Sequence, residues 1–214
     1  MNPLAAVPVS TLCDVDKSLP VVDPGIRPLT ATVRLCGPAY TVVAAGEFLS
    51  VLQAIGEAAT GDVLVVQAGG APLAALGELL ATEAARRGLG GIIVDGYVRD
   101  RTGLPSHLSL WARGTVPMAG RSDVPPRVGG PILFGGVRVQ PGDAVVADDD
   151  GIVIAPVGQL EACLEQAMQI ERTEAAVLAG IEGGASLIEM TNLVEHVAAL
   201  RRGEISALAI TPPS

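Results

Sequence analysis

Aromatic side chains are nearly absent from this chain. Phe, Trp and Tyr together make up 2% of its 214 residues. With few rings to stack on bases and no basic patch in a chain of net charge −9, nucleic-acid binding is not expected. Lysine is scarcer still. Lys17 is the single one, in the N-terminal segment, so Schiff-base chemistry has one remote candidate. Two histidines, His107 and His196, and three scattered cysteines, Cys13, Cys36 and Cys163, lack the spacing of a conventional zinc site. Only two histidines plus a carboxylate would remain as a zinc option. An odd cysteine count without CxxC predicts reduced thiols in a cytoplasmic protein. No apolar run reaches the roughly 18 residues of a membrane span. The start, MNPLAAVPVSTLCDVDK, has no basic segment followed by an apolar one, so no signal peptide is expected. There is no G-x-S-x-G elbow, no GK[ST] ending to a phosphate loop and no good GxGxxG. For an enzyme acting on small acids, these absences leave a hard metal ion and an arginine.

What is present is aliphatic. Hydrophobic residues make up 49% and charged residues 17%, which excludes disorder and supports one sizeable core with an appendage. Residues 9–20 predict a short helix capped by Ser10 or Thr11 and stopped by Pro20. Residues 21–29 read as a loop. Residues 31–45 read as two strands broken at Gly37-Pro38. A helix is expected over 47–59, then the strand VLVVQA. A glycine loop and helix follow over 69–89, stopped by Gly88, and then the strand GGIIVDG. Strand, loop, helix and strand at this spacing argue for a βαβ unit. Short β segments with glycine turns fill 108–114 and 130–156. A long helix covers 158–181, and another is expected over 187–202 before Pro212-Pro213.

Three stretches carry candidate chemistry. QAGGAPLAALGELL runs a glycine loop into a helix, whose free N–H groups and positive dipole end attract carboxylate or phosphate; a plain strand-to-helix turn is the alternative. Arg99-Asp100 follows the next strand. The arginine fork grips a carboxylate in two places, and the aspartate is a hard oxygen ligand suited to Mg2+ or Mn2+. A surface ion pair, worth at most about 1 kcal/mol, is the alternative there. ADDDGIV does not match a calcium loop and reads as a hairpin turn.

DPGIRPL, GPAYTV, GDVLVVQAGG, LGELLATEAARRGLGGIIVDGYVRD, ARG and PGDAVVADDDGIVIAP occur in the order found in the RraA-like family. Over about residues 9–180 the chain resembles the 4-hydroxy-4-methyl-2-oxoglutarate aldolases and the related regulators of ribonuclease activity, most specifically from Gly77 to Asp100. The resemblance implies an α/β fold, a β/β/α sandwich of the swivelling-domain type, assigned to residues 1–181; residues 182–214, which the resemblance does not cover, are expected to form a C-terminal helical extension. It implies homotrimers or homohexamers. It implies a metal-dependent lyase that releases pyruvate and also decarboxylates oxaloacetate. On that basis the backbone amides of Gly77, Glu78, Leu79 and Leu80 hold the substrate carboxylate, Arg99 binds substrate and Asp100 is the metal ligand.

Cleavage next to a 2-oxo acid leaves a pyruvate enolate, which a divalent cation, Mg2+ or Mn2+, stabilises as a Lewis acid. Arg99 and the amides of 77–80 add fixed positive potential. A metal-bound water oriented by carboxylates is the expected acid or base, with Asp95 the candidate orienting group. The aldolase pattern carries Glu or Asp three residues after the metal aspartate. Here that position is Gly103, and Pro105 shortens the helix expected there. Loss of an outer carboxylate costs about 10–100-fold in metal affinity or activity. The alternatives are therefore a non-catalytic protein-binding regulator of a ribonuclease, or a diverged lyase with a pathway-specific substrate.

Overall fold

The runs VLVVQ and GGIIV are apolar almost throughout, and strands of that kind need cover on both faces. The computed structural model, which describes residues 2–211, supplies it. The helices are α1 (Val9–Val15), α2 (Leu49–Glu57), α3 (Glu78–Arg86), α4 (Val157–Glu182) and α5 (Leu193–Arg201). The strands are β1 (Arg27–Pro28), β2 (Leu35–Val43), β3 (Val63–Gln67), β4 (Gly91–Val98), β5 (Leu110–Thr115), β6 (Ile132–Phe134), β7 (Val137–Val139), β8 (Ala144–Asp148) and β9 (Gly151–Ala155). Seven strands form one sheet in the order β1-β5-β4-β3-β2-β8-β9, and β6-β7 is a separate hairpin. The four central strands β2 to β5 are parallel.

Strand parity separates two cores. Leu64, Val66, Ile92 and Val94 pack with Val51, Ala54 and Ile55 of α2 and with Ala81 and Ala84 of α3. Val63, Val65, Ile93 and Trp111 pack on the other face with Phe134, Val137 and Val139 of the hairpin. Hairpin, sheet and helices thus form the expected β/β/α layers. The one tryptophan is fully buried, and its indole N–H reaches Ser109 Oγ at 3.1 Å and the Val33 carbonyl at 3.3 Å.

Local expectations fail where a distant partner decides. Residues 35–43 form one strand, not two, because Gly37-Pro38 sits where β2 hands over from β8 to β3. Pro38 pairs with Ala144, and the parallel ladder begins at Ala39. The helix starts at Val9, so Ser10 and Thr11 lie inside it and Pro8 is the N-cap residue; Asp148 Oδ2 accepts the Val9 N–H at 2.8 Å from 139 positions away. Asp148 also accepts the Asp150 N–H at 3.1 Å, so the acidic run forms the β8–β9 turn. Within 187–202 only Leu193–Arg201 is helical. Pro212-Pro213 lies outside the described residues.

The chain divides into two compact units, Met1–Leu164 and Glu165–Ser214. The second has its own polar ties: Asn192 accepts from Ala209 N at 2.7 Å, and His196 Nδ1 lies 2.9 Å from Ser206 Oγ. No described helix is long and apolar enough to cross a membrane.

Candidate active site

Residues 74–77 run beside the carboxyl end of β4 before α3 begins. Ala75 N donates to Tyr97 O at 2.9 Å and Arg99 N donates to Leu76 O at 3.0 Å. Ala74 bridges Tyr97 in parallel. This lays Gly77 directly over Arg99 and Asp100. A Cβ on Gly77 would come within 2.8 Å of Arg99 Cγ and 3.1 Å of its Nε, and would overlap Asp100 Oδ2. The backbone of Gly77 is extended, so room and not φ requires glycine here. Upstream, the β4–β5 register shifts between Val94 and Tyr97, a bulge of the kind that re-aims side chains beside active sites.

Asp100 has φ 58° and ψ 41°, the one positive φ outside glycine among the described residues. That left-handed conformation costs on the order of 1–2 kcal/mol, least for Asp and Asn. Asp100 Oδ2 faces the Glu78 N–H at 3.4 Å and Arg99 Nε at 3.2 Å. The Arg99 and Asp100 side chains are 41% and 44% exposed, open to a ligand as well as to each other. A cavity of about 210 Å³ lies here. Gly77, Leu79, Leu80, Arg99 and Asp100 line it, with Phe48, Ala74, Leu76 and Ala119 on its apolar side. Five of the expected residues are therefore brought together, and Glu78 adds an N–H turned toward Asp100.

Asp95 is placed elsewhere. It follows Ile93 onto the hairpin face of the sheet, where its Oδ1 accepts from Arg113 Nε at 2.6 Å and its Oδ2 from Gly135 N at 2.9 Å. Arg113 also reaches Asp23 at 2.9 Å. The Gly25 N–H and then Arg113 hold the Asp23 carboxyl below its usual range, and Asp95 leads in raising Arg113. This triad ties β4 and β5 to two loops, and Asp95 is not among the residues lining the cavity.

Gly103 ends the one-turn 3-10 helix Arg101–Gly103. A Cβ there would collide with the Glu78 carboxylate and lie 3.0 Å from Glu78 Cγ. The acid absent at 103 is thus matched by one arriving over the same spot from the first turn of α3. Sequence reasoning gave Glu78 only a backbone role. The legible signal was the pairing of a glycine at 103 with an acid at the start of the helix. Phe48 and Ala119 were also missed. Phe48 precedes α2 in the loop after the carboxyl end of β2, where open α/β sheets bind ligands.

Among the described residues no group of three or more His, Cys, Asp or Glu is placed to hold a metal. Asp100 lines the cavity and the Glu78 carboxylate lies against Gly103, which makes two hard oxygen donors. That set does not suit zinc, and it fits an ion such as Mg2+ that keeps several waters.

A family model described as RraA-like, Aldolase/RraA, matches residues 9–154. The chain belongs to the RraA-like family. One RraA-like relative is named "Putative 4-hydroxy-4-methyl-2-oxoglutarate aldolase", from Halalkalibacterium halodurans. It is 35% identical over 173 residues, covering 79% of this chain and 82% of that protein. Among solved structures, Streptomyces coelicolor RraAS2, described as an unusual member of the RNase ES inhibitor RraA protein family, superposes with a TM-score of 0.71 at 33% identity. The match covers 81% of this chain and 92% of that one. The RNA-processing inhibitor RraA from Thermus thermophilis gives 0.66 at 27% identity, over 70% of this chain and 92% of that one. The RraA-like relatives thus include proteins named for aldol chemistry and proteins named for ribonuclease inhibition.

Proposed function

We propose that this chain is a divalent-metal-dependent carbon–carbon lyase, cleaving a 4-hydroxy-2-oxo acid to pyruvate or decarboxylating oxaloacetate. The observation that carries this reading is the convergence of Arg99, Asp100 and the N-terminus of α3 on one small cavity. A cavity of about 210 Å³ is below the size used for drug-like ligands and suits a small acid. Arg99 binds the carboxylate of the 2-oxo acid, and the first amides of α3 add positive potential to the same region. Asp100 and Glu78 would hold Mg2+ or Mn2+, which when bound supplies Lewis-acid stabilisation to the charge developing on the 2-oxo group. The exposed Glu78 carboxylate, in the first turn of α3, is the candidate to accept a proton from the substrate or to orient a water that does so. We also propose that the chain works as a homotrimer or homohexamer.

The solved structures named for inhibition of RNA processing and of RNase ES support a second reading, in which the chain binds a ribonuclease without catalysis. One assay separates the two. Purified protein is expected to release pyruvate from 4-hydroxy-2-oxo acids or oxaloacetate with Mg2+ or Mn2+ and to stop when chelator is added. Arg99→Ala should lower the rate about 10²–10³-fold with the circular dichroism unchanged. No metal-dependent pyruvate from any of these substrates would rule the lyase reading out.

A further inference from the structure

Glu47 is the one buried Asp, Glu, Lys or Arg among the described residues, at 3% exposed. Acids are rarely buried unless paired with a cation. Glu47 Oε2 accepts the Ser50 N–H at 3.0 Å, while Oε1 is buried with no hydrogen-bond donor among the described residues. Ser50 is the second residue of α2, so Glu47 caps that helix from one place before the N-cap. The N-cap itself is Phe48, whose side chain makes no cap bond. Ser, Asp or Asn at 48 would cap the helix directly, with no charge buried at 47. Position 48 instead supplies a ring to the cavity wall. Capping from 47 leaves position 48 free for that ring.

Glu47 also starts a short ladder that runs across to the end of β4. Glu47 bridges Arg121 in parallel, Ala119 bridges Ala74, and Ala74 bridges Tyr97. On either side of Glu47, Arg121 N donates to Gly46 O at 2.9 Å and Phe48 N donates to Arg121 O at 3.1 Å. Gly120 N donates to Ala74 O at 2.9 Å and Ala74 N to Met118 O at 2.8 Å. The last rung is the bond from Arg99 N to Leu76 O. Gly120 packs so closely that a Cβ there would lie 2.8 Å from Glu47 Cα, which leaves the ladder little play. Phe48, Ala119, Ala74, Leu76 and Arg99 of the cavity all stand on it. The ladder belongs to one chain, so it holds whatever a neighbouring copy adds to the cavity. We propose that Glu47 is a positioning residue. By capping α2 it seats the Phe48 ring, and through 119–121 and 74–76 it sets the backbone of Arg99. It touches no substrate, and its effect on turnover rests on the lyase reading.

Two readouts on the full chain with Mg2+ test this: amide hydrogen exchange without substrate, and pyruvate release. Glu47→Ala should speed exchange of the Phe48, Ala74 and Gly120 amides about tenfold and leave β8 and β9 as in the parent. Its kcat/KM should fall about tenfold or more at a temperature where circular dichroism shows it folded. Glu47→Gln keeps an oxygen for the Ser50 N–H, so both readouts should stay within about threefold of the parent. Phe48→Asp puts a cap at 48 and removes the ring. In that background Glu47→Ala should change kcat/KM by less than about twofold. Unchanged ladder exchange in Glu47→Ala, a tenfold loss in Glu47→Gln, or additive losses in the double variant each overturn the proposal. A lower melting temperature with kcat/KM intact in the folded Glu47→Ala protein would make Glu47 a helix cap alone, and overturns it too. A parent that releases no pyruvate, with the exchange pattern as stated, removes the lyase reading and leaves the seating of Phe48 and Arg99 standing.

Discussion

Asp100 holds a left-handed backbone conformation that glycine would adopt without strain. Such an outlier is retained where the side chain is needed more than the relaxed backbone. Asp100→Gly should therefore melt within a few degrees of the parent, while pyruvate release falls about 100-fold or more; a parallel collapse of melting temperature would make the residue structural. Glu78 and Gly103 form the second test. Glu78→Gln should weaken Mg2+-dependent activity about 10–100-fold with little change in stability, because the side chain is exposed. Gly103→Glu restores the acid of the aldolase pattern but drives it into Glu78. It should lower activity in the parent and recover part of it in Glu78→Ala, as read by pyruvate release against Mg2+ concentration. Arg99 and Asp100 were legible from residue type and place alone. The side-chain role of Glu78 was not, since it depends on how closely the 101–103 turn approaches α3.

At the scale of elements, hydrophobic pattern and glycine placement read well. The β3–α3–β4 unit stands as expected, and Gly88, with φ +70°, follows the end of α3. Misreadings arose at handovers. The single strand β2 passes through Gly37-Pro38 because two different partners accept its two halves, which no local propensity encodes. One tie between elements gives a pH prediction. Tyr40 on β2 donates to Glu57 Oε2 at 2.7 Å, at the end of α2. Burial first, and then this hydrogen bond, push the phenol up to about 12, while Tyr40 and Gln53 hold the Glu57 carboxyl below its usual range. Folding thus favours the protonated phenol. Its contribution is complete below the ordinary tyrosine value of about 10 and is lost as pH rises from there to about 12. Melting temperatures across that window should fall in the parent, and Tyr40→Phe should flatten the tyrosine-linked part of the fall. An unchanged profile would show that the bond contributes nothing to stability.

At the scale of the whole molecule, apolar surface points to assembly. Leu178, Leu187, Ile188, Val194, Leu200 and Ile205 of the second unit are all exposed, which supports the proposed assembly. Light scattering on purified protein should give about 65 or about 130 kDa, three or six times the 21.7 kDa chain; a mass of one chain would remove the oligomer proposal. The sequence by itself determined an aliphatic α/β chain, the order of its central strands and helices, the turn at Asp148–Gly151 and the meeting of a glycine loop with Arg99-Asp100. Those features follow from periodicity, glycine and the chemistry of short segments. Tertiary structure alone decided that Asp95 faces the hairpin and Arg113, that Glu78 covers Gly103, and that Phe48 and Ala119 close the apolar side of the cavity. The reason is physical. Which face a strand residue takes past a bulge, and which loops meet above a sheet, depend on register between segments far apart in the chain.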